Sequence, residues 1–149
     1  RKGGGRVEVV RYLLDTPLLA ELVRAHADDW SAHWIDAINE EDIFISAITV
    51  GEIVHYIENE IDPNRREALY HWLNEDLLVR FYGRIITPDL DILSEWGKIN
   101  AECEKSGKTL SAVDAMIAAT VRARGLVLIT FNREVFLGIG IEVSDPWRG

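Results

Sequence analysis

The chain has 149 residues, 48% hydrophobic and 28% charged, the size and mix of one globular domain with a real core rather than a disordered segment. Twenty-five acidic residues against 16 basic ones give a net charge of −9, which argues against a protein that coats nucleic acid by bulk phosphate neutralisation. No apolar run reaches the roughly 18–20 residues of a membrane span, so association with a membrane is not expected.

Residues 1–6 (Arg1-Lys2-Gly3-Gly4-Gly5-Arg6) have a basic patch without the apolar stretch of a signal peptide. With Met116 the only methionine, they are expected to be a disordered or cloning-derived leader, and residues 7–149 a single domain. Val7 to Leu14 reads as a strand that ends at Asp15-Thr16-Pro17, where Pro17 suits a first helical turn. Helical spacing follows over 18–25 and 29–40, then a short strand, Ile43-Phe44-Ile45, and a helix from Thr49 to Glu60. A longer helix is predicted from Asn64 to Phe81, with Leu69, Trp72, Leu73 and Leu77 on one stripe. Ile85-Ile86 is a third strand. Asp89 to Ser106 and Ser111 to Arg124 read as helices closed by Gly107 and Gly125. Val127-Leu128-Ile129 and Ile141-Glu142-Val143 are the last strands. Strands alternating with helices of this length imply an α/β/α sandwich around a mostly parallel sheet of about five strands. The lone Cys103 has no internal disulfide partner and fits a reducing, cytoplasmic setting.

Three acids share one local setting. Asp15 follows the first strand, Glu52 lies early in the helix after the second, and Asp114 lies three residues beyond Ser111 at a helix start. Turns that lead from parallel strands into helices gather at the carboxyl edge of the sheet, where α/β proteins place ligands. Asp114 joins that edge if its helix packs with its N-terminus towards it. Each acid also fits a capping role, because Thr49-Val50-Gly51-Glu52 and Ser111-Ala112-Val113-Asp114 both have capping-box spacing. Asp114, however, shares its stripe with Ile117 and Val121, and an ionised group turned inwards needs a metal, an arginine or a donor. Three ionised carboxylates brought together call for a cation.

Tyr12-Leu13-Leu14-Asp15-Thr16 and Ile45-Ser46-Ala47-Ile48-Thr49-Val50-Gly51-Glu52-Ile53 resemble the opening motifs of PIN-domain toxins of the VapC type. Phe81-Tyr82-Gly83-Arg84-Ile85-Ile86 and Trp96-Gly97 are similar to the middle of that family. The likeness continues through Ser111 to Thr120, resumes at Leu128-Ile129-Thr130-Phe131-Asn132 with Phe136, and ends at Asp145-Pro146-Trp147. The resemblance implies an Mg²⁺- or Mn²⁺-dependent ribonuclease, a homodimer, an RNA substrate and a cognate antitoxin of the VapB type. Carried over, the family's metal-site acids fall on Asp15, Glu52 and Asp114. The expected roles are direct ligation by Asp15 and Asp114, with Glu52 acting through water or as a base. Asn132 would orient a water or the scissile phosphate. The fourth acidic position falls on Asn132 or Val135, neither acidic, with Glu134 out of register, and Pro17 stands where the family usually has asparagine. Those departures imply one firmly held ion rather than two, or a weakened enzyme; the alternative is a PIN-like module that binds an antitoxin or nucleic acid without cutting.

Other patterns are weaker. Glu52-Ile53-Val54-His55 has Glu-x-x-His spacing, but a di-iron bundle needs two such motifs and no strands. Leu14-Asp15-Thr16 lacks the second aspartate of a phosphohydrolase, Pro17 being in its place. Arg84, Lys105, Lys108, Arg122, Arg124 and Arg133 are candidate phosphate contacts, with a solvated surface role as the commoner alternative. The five tryptophans are expected in the core or at an interface rather than stacking on bases, with Trp30 and Trp34, one helical turn apart, in the core or on a partner-binding patch.

Overall fold

The computed structural model of the chain describes residues 9–19 and 38–145. Most of the helical spacing over 18–25 and 29–40 (with Trp30 and Trp34), the glycine-rich opening and residues 146–149 lie outside the described residues. Within them five strands form one sheet: β1 (Tyr12–Leu14), β2 (Ile43–Ser46), β3 (Ile85–Ile86), β4 (Val127–Ile129) and β5 (Glu142–Ser144). Their order is β3-β2-β1-β4-β5 and every pairing is parallel. The helices are α1 (Ala47–Glu58), α2, α3 (Leu90–Ser106) and α4 (Ala112–Arg124). Helix α2 runs Pro63–Trp72, widens through a π segment at Leu73–Leu77 and closes with Leu78–Arg80.

Side chains alternate across a strand, and the two faces of the sheet carry separate cores. Leu14, Ile43, Ile45 and Ile129 meet Ile53 and Ile57 of α1 and Leu73 and Leu77 of α2. Leu13 and Leu128 meet Ile92 and Ile99 of α3 and Ala115, Ala118 and Val121 of α4. With helices on both faces, short strands tolerate continuous apolar runs, as Val127-Leu128-Ile129 illustrates. Trp72 and Trp96 pack half-buried against the two cores, and each indole N–H is buried without an acceptor.

Several boundaries differ from expectation, most clearly those of the first and last strands. Strand β1 begins at Tyr12 rather than Val7, because its partners are short. The pairing with β4 starts where the Val127 N–H donates to the Arg11 carbonyl at 2.9 Å, and Val9 and Val10 are exposed. Strand β5 is Glu142–Ser144, one residue later than expected, since its register pairs Ile129 with Ser144. Gly107 and Gly125 do close α3 and α4, at φ 76° and 63°. No helix among the described residues is long and apolar enough to cross a membrane.

This order positions a site. Strand β1 has β2 on one side and β4 on the other, so the direction of winding reverses between β1 and β4. Ligands of open parallel sheets lie at such a reversal, outside the carboxyl ends of the strands.

Candidate active site

Asp15 is the first residue beyond β1. Its backbone N–H donates to the Ile129 carbonyl at 3.0 Å, which extends the β1–β4 ladder by one bond. The side chain is 3% exposed. Asp15 Oδ1 accepts from the Thr16 N–H at 2.9 Å, and Oδ2 accepts from the Thr130 hydroxyl at 2.6 Å. Thr130 is the first residue beyond β4 and is fully buried. Its Oγ1 also accepts the Asn132 N–H at 3.0 Å, so a relay runs from the loop after β4 to the carboxylate.

Burial pushes the Asp15 carboxyl above its ordinary value, because a charge in low dielectric loses hydration. The hydrogen bonds from Thr130 and Thr16 favour the charged form and pull it back, while the negative charges of Asp114 and then Glu52 raise it further. The fold therefore brings Asp114 and Glu52 each within electrostatic reach of Asp15. Among the described residues, no lysine or arginine is paired with any of them.

Each acid arrives by a different route. Glu52 lies in the second turn of α1 and is half-buried. Its helix is capped by Ser46, whose Oγ accepts the Ile48 N–H at 3.0 Å. The capping-box reading of Thr49 to Glu52 is thus corrected: Thr49 is already inside the helix, and its hydroxyl lies 3.0 Å from that of Thr16. Asp114 lies in the first turn of α4, half-buried, and its N–H donates to Ser111 Oγ at 3.1 Å. Because α4 feeds β4 through Gly125, its N-terminus comes back to the carboxyl edge. Asn132 sits at that edge too, exposed, and begins the 3-10 turn Arg133–Phe136. Among the described residues, no three His, Cys, Asp or Glu side chains converge tightly enough to cage an ion by themselves. His55, one turn beyond Glu52, is exposed.

Three of the candidate phosphate contacts are engaged elsewhere. Arg84 donates from Nη1 to the carbonyls of Glu40 and Ile43, each at 2.6 Å, and from Nη2 to that of Arg80. Arg122 holds Glu102 through both terminal nitrogens, at 2.9 and 3.1 Å, and Glu95 through Nε at 3.1 Å. Arg124 pairs with Asp89 at 2.5 Å. Of the threonines at the site, Thr16 and Thr130 have no role in the sequence reading, and Thr49 has only the capping role corrected above. The signal was present: a threonine immediately after a wholly apolar buried strand, as in Val127-Leu128-Ile129-Thr130, has a hydroxyl that must find a partner.

Comparison with known families gives a match of residues 12–140 to the PIN domain. The chain belongs to the PIN-domain family. It is 32% identical over 136 residues to a VapC ribonuclease, Y4jK, of Sinorhizobium fredii, covering 91% of this chain and 97% of that protein. Among solved structures it resembles FitAcB from Neisseria gonorrhoeae, with a TM-score of 0.84 at 28% identity over 93% of this chain and 99% of that one. It also resembles a toxin–antitoxin complex from Klebsiella pneumoniae, with a TM-score of 0.66 at 27% identity over 91% and 97%. The likeness to VapC-type PIN toxins read from the motifs is therefore borne out, as is the sandwich around a parallel sheet. In this PIN domain Val135 is half-buried against the core that contains Leu128 and Phe136, so that position serves packing and projects no carboxylate.

Proposed function

We propose that this PIN domain is a divalent-metal-dependent endoribonuclease, the toxin of a toxin–antitoxin pair, that hydrolyses RNA phosphodiester bonds. The observation that carries the reading is the buried Asp15 at the reversal of the sheet, with Asp114 and Glu52 near enough for their charges to act on it. Among the described residues, none of the three is paired with a lysine or arginine. Like charges gathered without a counter-ion are tolerated when a cation is available. The donor set consists of hard carboxylate oxygens, which suits Mg²⁺ or Mn²⁺. The lack of a tight three-ligand cage agrees with an ion that takes one or two carboxylates and keeps waters.

Such an ion, when bound, supplies positive charge against the phosphodiester and makes water more acidic. The protein's own contribution follows from its hydrogen bonds. Thr16 and Thr130 fix the Asp15 carboxylate, each by a hydrogen bond to one of its oxygens. Asp114 would hold the ion together with Asp15. Glu52, on α1, would act on the ion through water or as the base that helps deprotonate the attacking water. The exposed amide of Asn132 donates to the phosphate at the mouth of the site.

The relative named as a ribonuclease supports RNA as substrate, and the neighbour named as a toxin–antitoxin complex supports a cognate antitoxin of the VapB type. A net charge of −9 suits a basic partner. The functional unit is read as a homodimer in the cytoplasm. The deciding experiment pairs Mn²⁺ titration by calorimetry with incubation of the protein and total RNA, wild type against Asp114→Asn. Metal binding and cleavage in the wild type, both lost in the variant, are expected. Cleavage that survives the substitution overturns the site. The second reading, a PIN-like module that binds without cutting, is favoured by the exposed Asn132 and packed Val135 in place of a fourth acid; a wild type without metal affinity selects it.

A further inference from the structure

Thr49 stands out among the threonines of the helices. Thr120, in α4, does what a helical threonine ordinarily does and donates back to the carbonyl one turn earlier, that of Met116, at 2.8 Å. The Thr49 hydroxyl instead leaves its own helix and meets the Thr16 hydroxyl 3.0 Å away, 33 residues distant in sequence. Thr49 is fully buried, and burying a hydroxyl costs free energy that an apolar isostere avoids. A valine of the same shape would fill the space as well, with no polar group to satisfy.

What the contact joins gives it meaning. Thr16 is the residue whose N–H donates to Asp15 Oδ1 at 2.9 Å. Glu52 lies three residues beyond Thr49, on the same side of α1. The hydroxyl pair is thus a strut between the turn that holds Asp15 and the helix that carries Glu52. Ser46 fixes the start of that helix but leaves its rotation about its own axis, and hence the aim of Glu52, to contacts further along.

We infer that Thr49 is a positioning residue that, through its hydroxyl contact with Thr16, sets the separation of Glu52 from Asp15 and so the grip of the pair on a divalent cation. The inference rests on the metal-dependent reading above and deepens it.

Its test is Mn²⁺ affinity by calorimetry on the whole chain, with thermal unfolding in chelator measured alongside. Thr49→Val removes the hydroxyl and keeps the shape; Thr49→Ser keeps the hydroxyl. Loss of a group that orients a ligand typically weakens metal binding about 10-fold to 100-fold, and that loss is expected for Thr49→Val, with Thr49→Ser recovering most of it. Thr16→Val removes the other half of the contact and is expected to reproduce the loss, so the test survives if one variant folds poorly. In a Glu52→Gln background the effect of Thr49→Val should shrink towards none, because the strut then has no carboxylate to place. Equal Mn²⁺ affinity in wild type and Thr49→Val overturns the inference while leaving the metal site intact. A loss undiminished in Glu52→Gln overturns it too. A wild type with no Mn²⁺ affinity overturns the metal reading itself, and this inference with it.

Discussion

The Thr130 hydroxyl donates to Asp15 Oδ2 at 2.6 Å, a bond between residues 115 apart in sequence that ties the carboxyl ends of β1 and β4 together. It lies at the reversal of the sheet, with both partners buried. Asp15 is therefore held by the fold before any ligand arrives, which is the preorganisation a catalytic carboxylate requires.

That bond predicts the behaviour of Thr130→Val. The isosteric change leaves a buried carboxylate oxygen without its donor, and hydrogen bonds to charged groups contribute about 1.5–3 kcal/mol. Denaturant unfolding should reveal a loss of that order, and Thr130→Ser should retain most of the stability. An unchanged unfolding midpoint in the valine variant would show that the bond contributes nothing.

The pH dependence of the metal-free protein follows from Asp15. Its folded pKa is raised above the ordinary 3.8, so between the two values the folded chain binds more protons than the unfolded one. Unfolding free energy then falls as pH rises through that window, and the destabilisation is fully present above the folded pKa. Asp15→Asn should flatten this dependence in chelator and abolish any rise in Tm on adding Mn²⁺. Thermal unfolding across pH, with and without the ion, measures both.

Much of this architecture was legible in the sequence because the signals were local. Gly107 and Gly125 mark helix ends, since only a residue without a side chain takes the left-handed cap cheaply. The runs Ile43-Phe44-Ile45 and Val127-Leu128-Ile129 mark strands covered on both faces. The placement of Asp15, Glu52 and Asp114 towards one edge was legible because each follows a strand or lies early in a helix that starts there. What escaped depends on pairing between distant segments. The true cap of α1 is Ser46, not Thr49, because the length of β2 decides where the helix begins. Thr130 acts on Asp15 only once β1 and β4 are neighbours, and the register of β5 is set by β4 rather than by its own pattern.

Arg122 predicts a second pH effect of opposite sign. Its hydrogen bonds hold Glu102 below the ordinary 4.5, and Lys98 first and then Arg122 do the same for Glu95. A depressed carboxylate contributes stability above its unfolded pKa and loses it as pH falls through the folded one. Arg122→Met should therefore lower Tm near neutrality and make the protein less sensitive to acidification below about pH 4.5. Since Glu102 is exposed and Glu95 only half-buried, added salt should shrink the difference. A Tm profile parallel to wild type would remove Arg122 from the account.

Arg84 separates a structural arginine from one that grips RNA. Its guanidinium donates to the carbonyls of Glu40, Ile43 and Arg80 and lies 4.7 Å from the centre of the Phe81 ring. A lysine keeps the charge but is a single point that cannot serve three carbonyls or stack in the same way. Arg84→Lys should cost about 1–3 kcal/mol, the penalty of leaving such groups unsatisfied, measured by denaturant unfolding. RNA cleavage per folded molecule should not change. Were Arg84 a phosphate contact instead, the same substitution would preserve the electrostatic attraction and leave stability nearly untouched, while the salt dependence of RNA binding shifted only with its removal to alanine. The two roles thus give opposite patterns in stability and in binding, and the three carbonyl contacts favour the first.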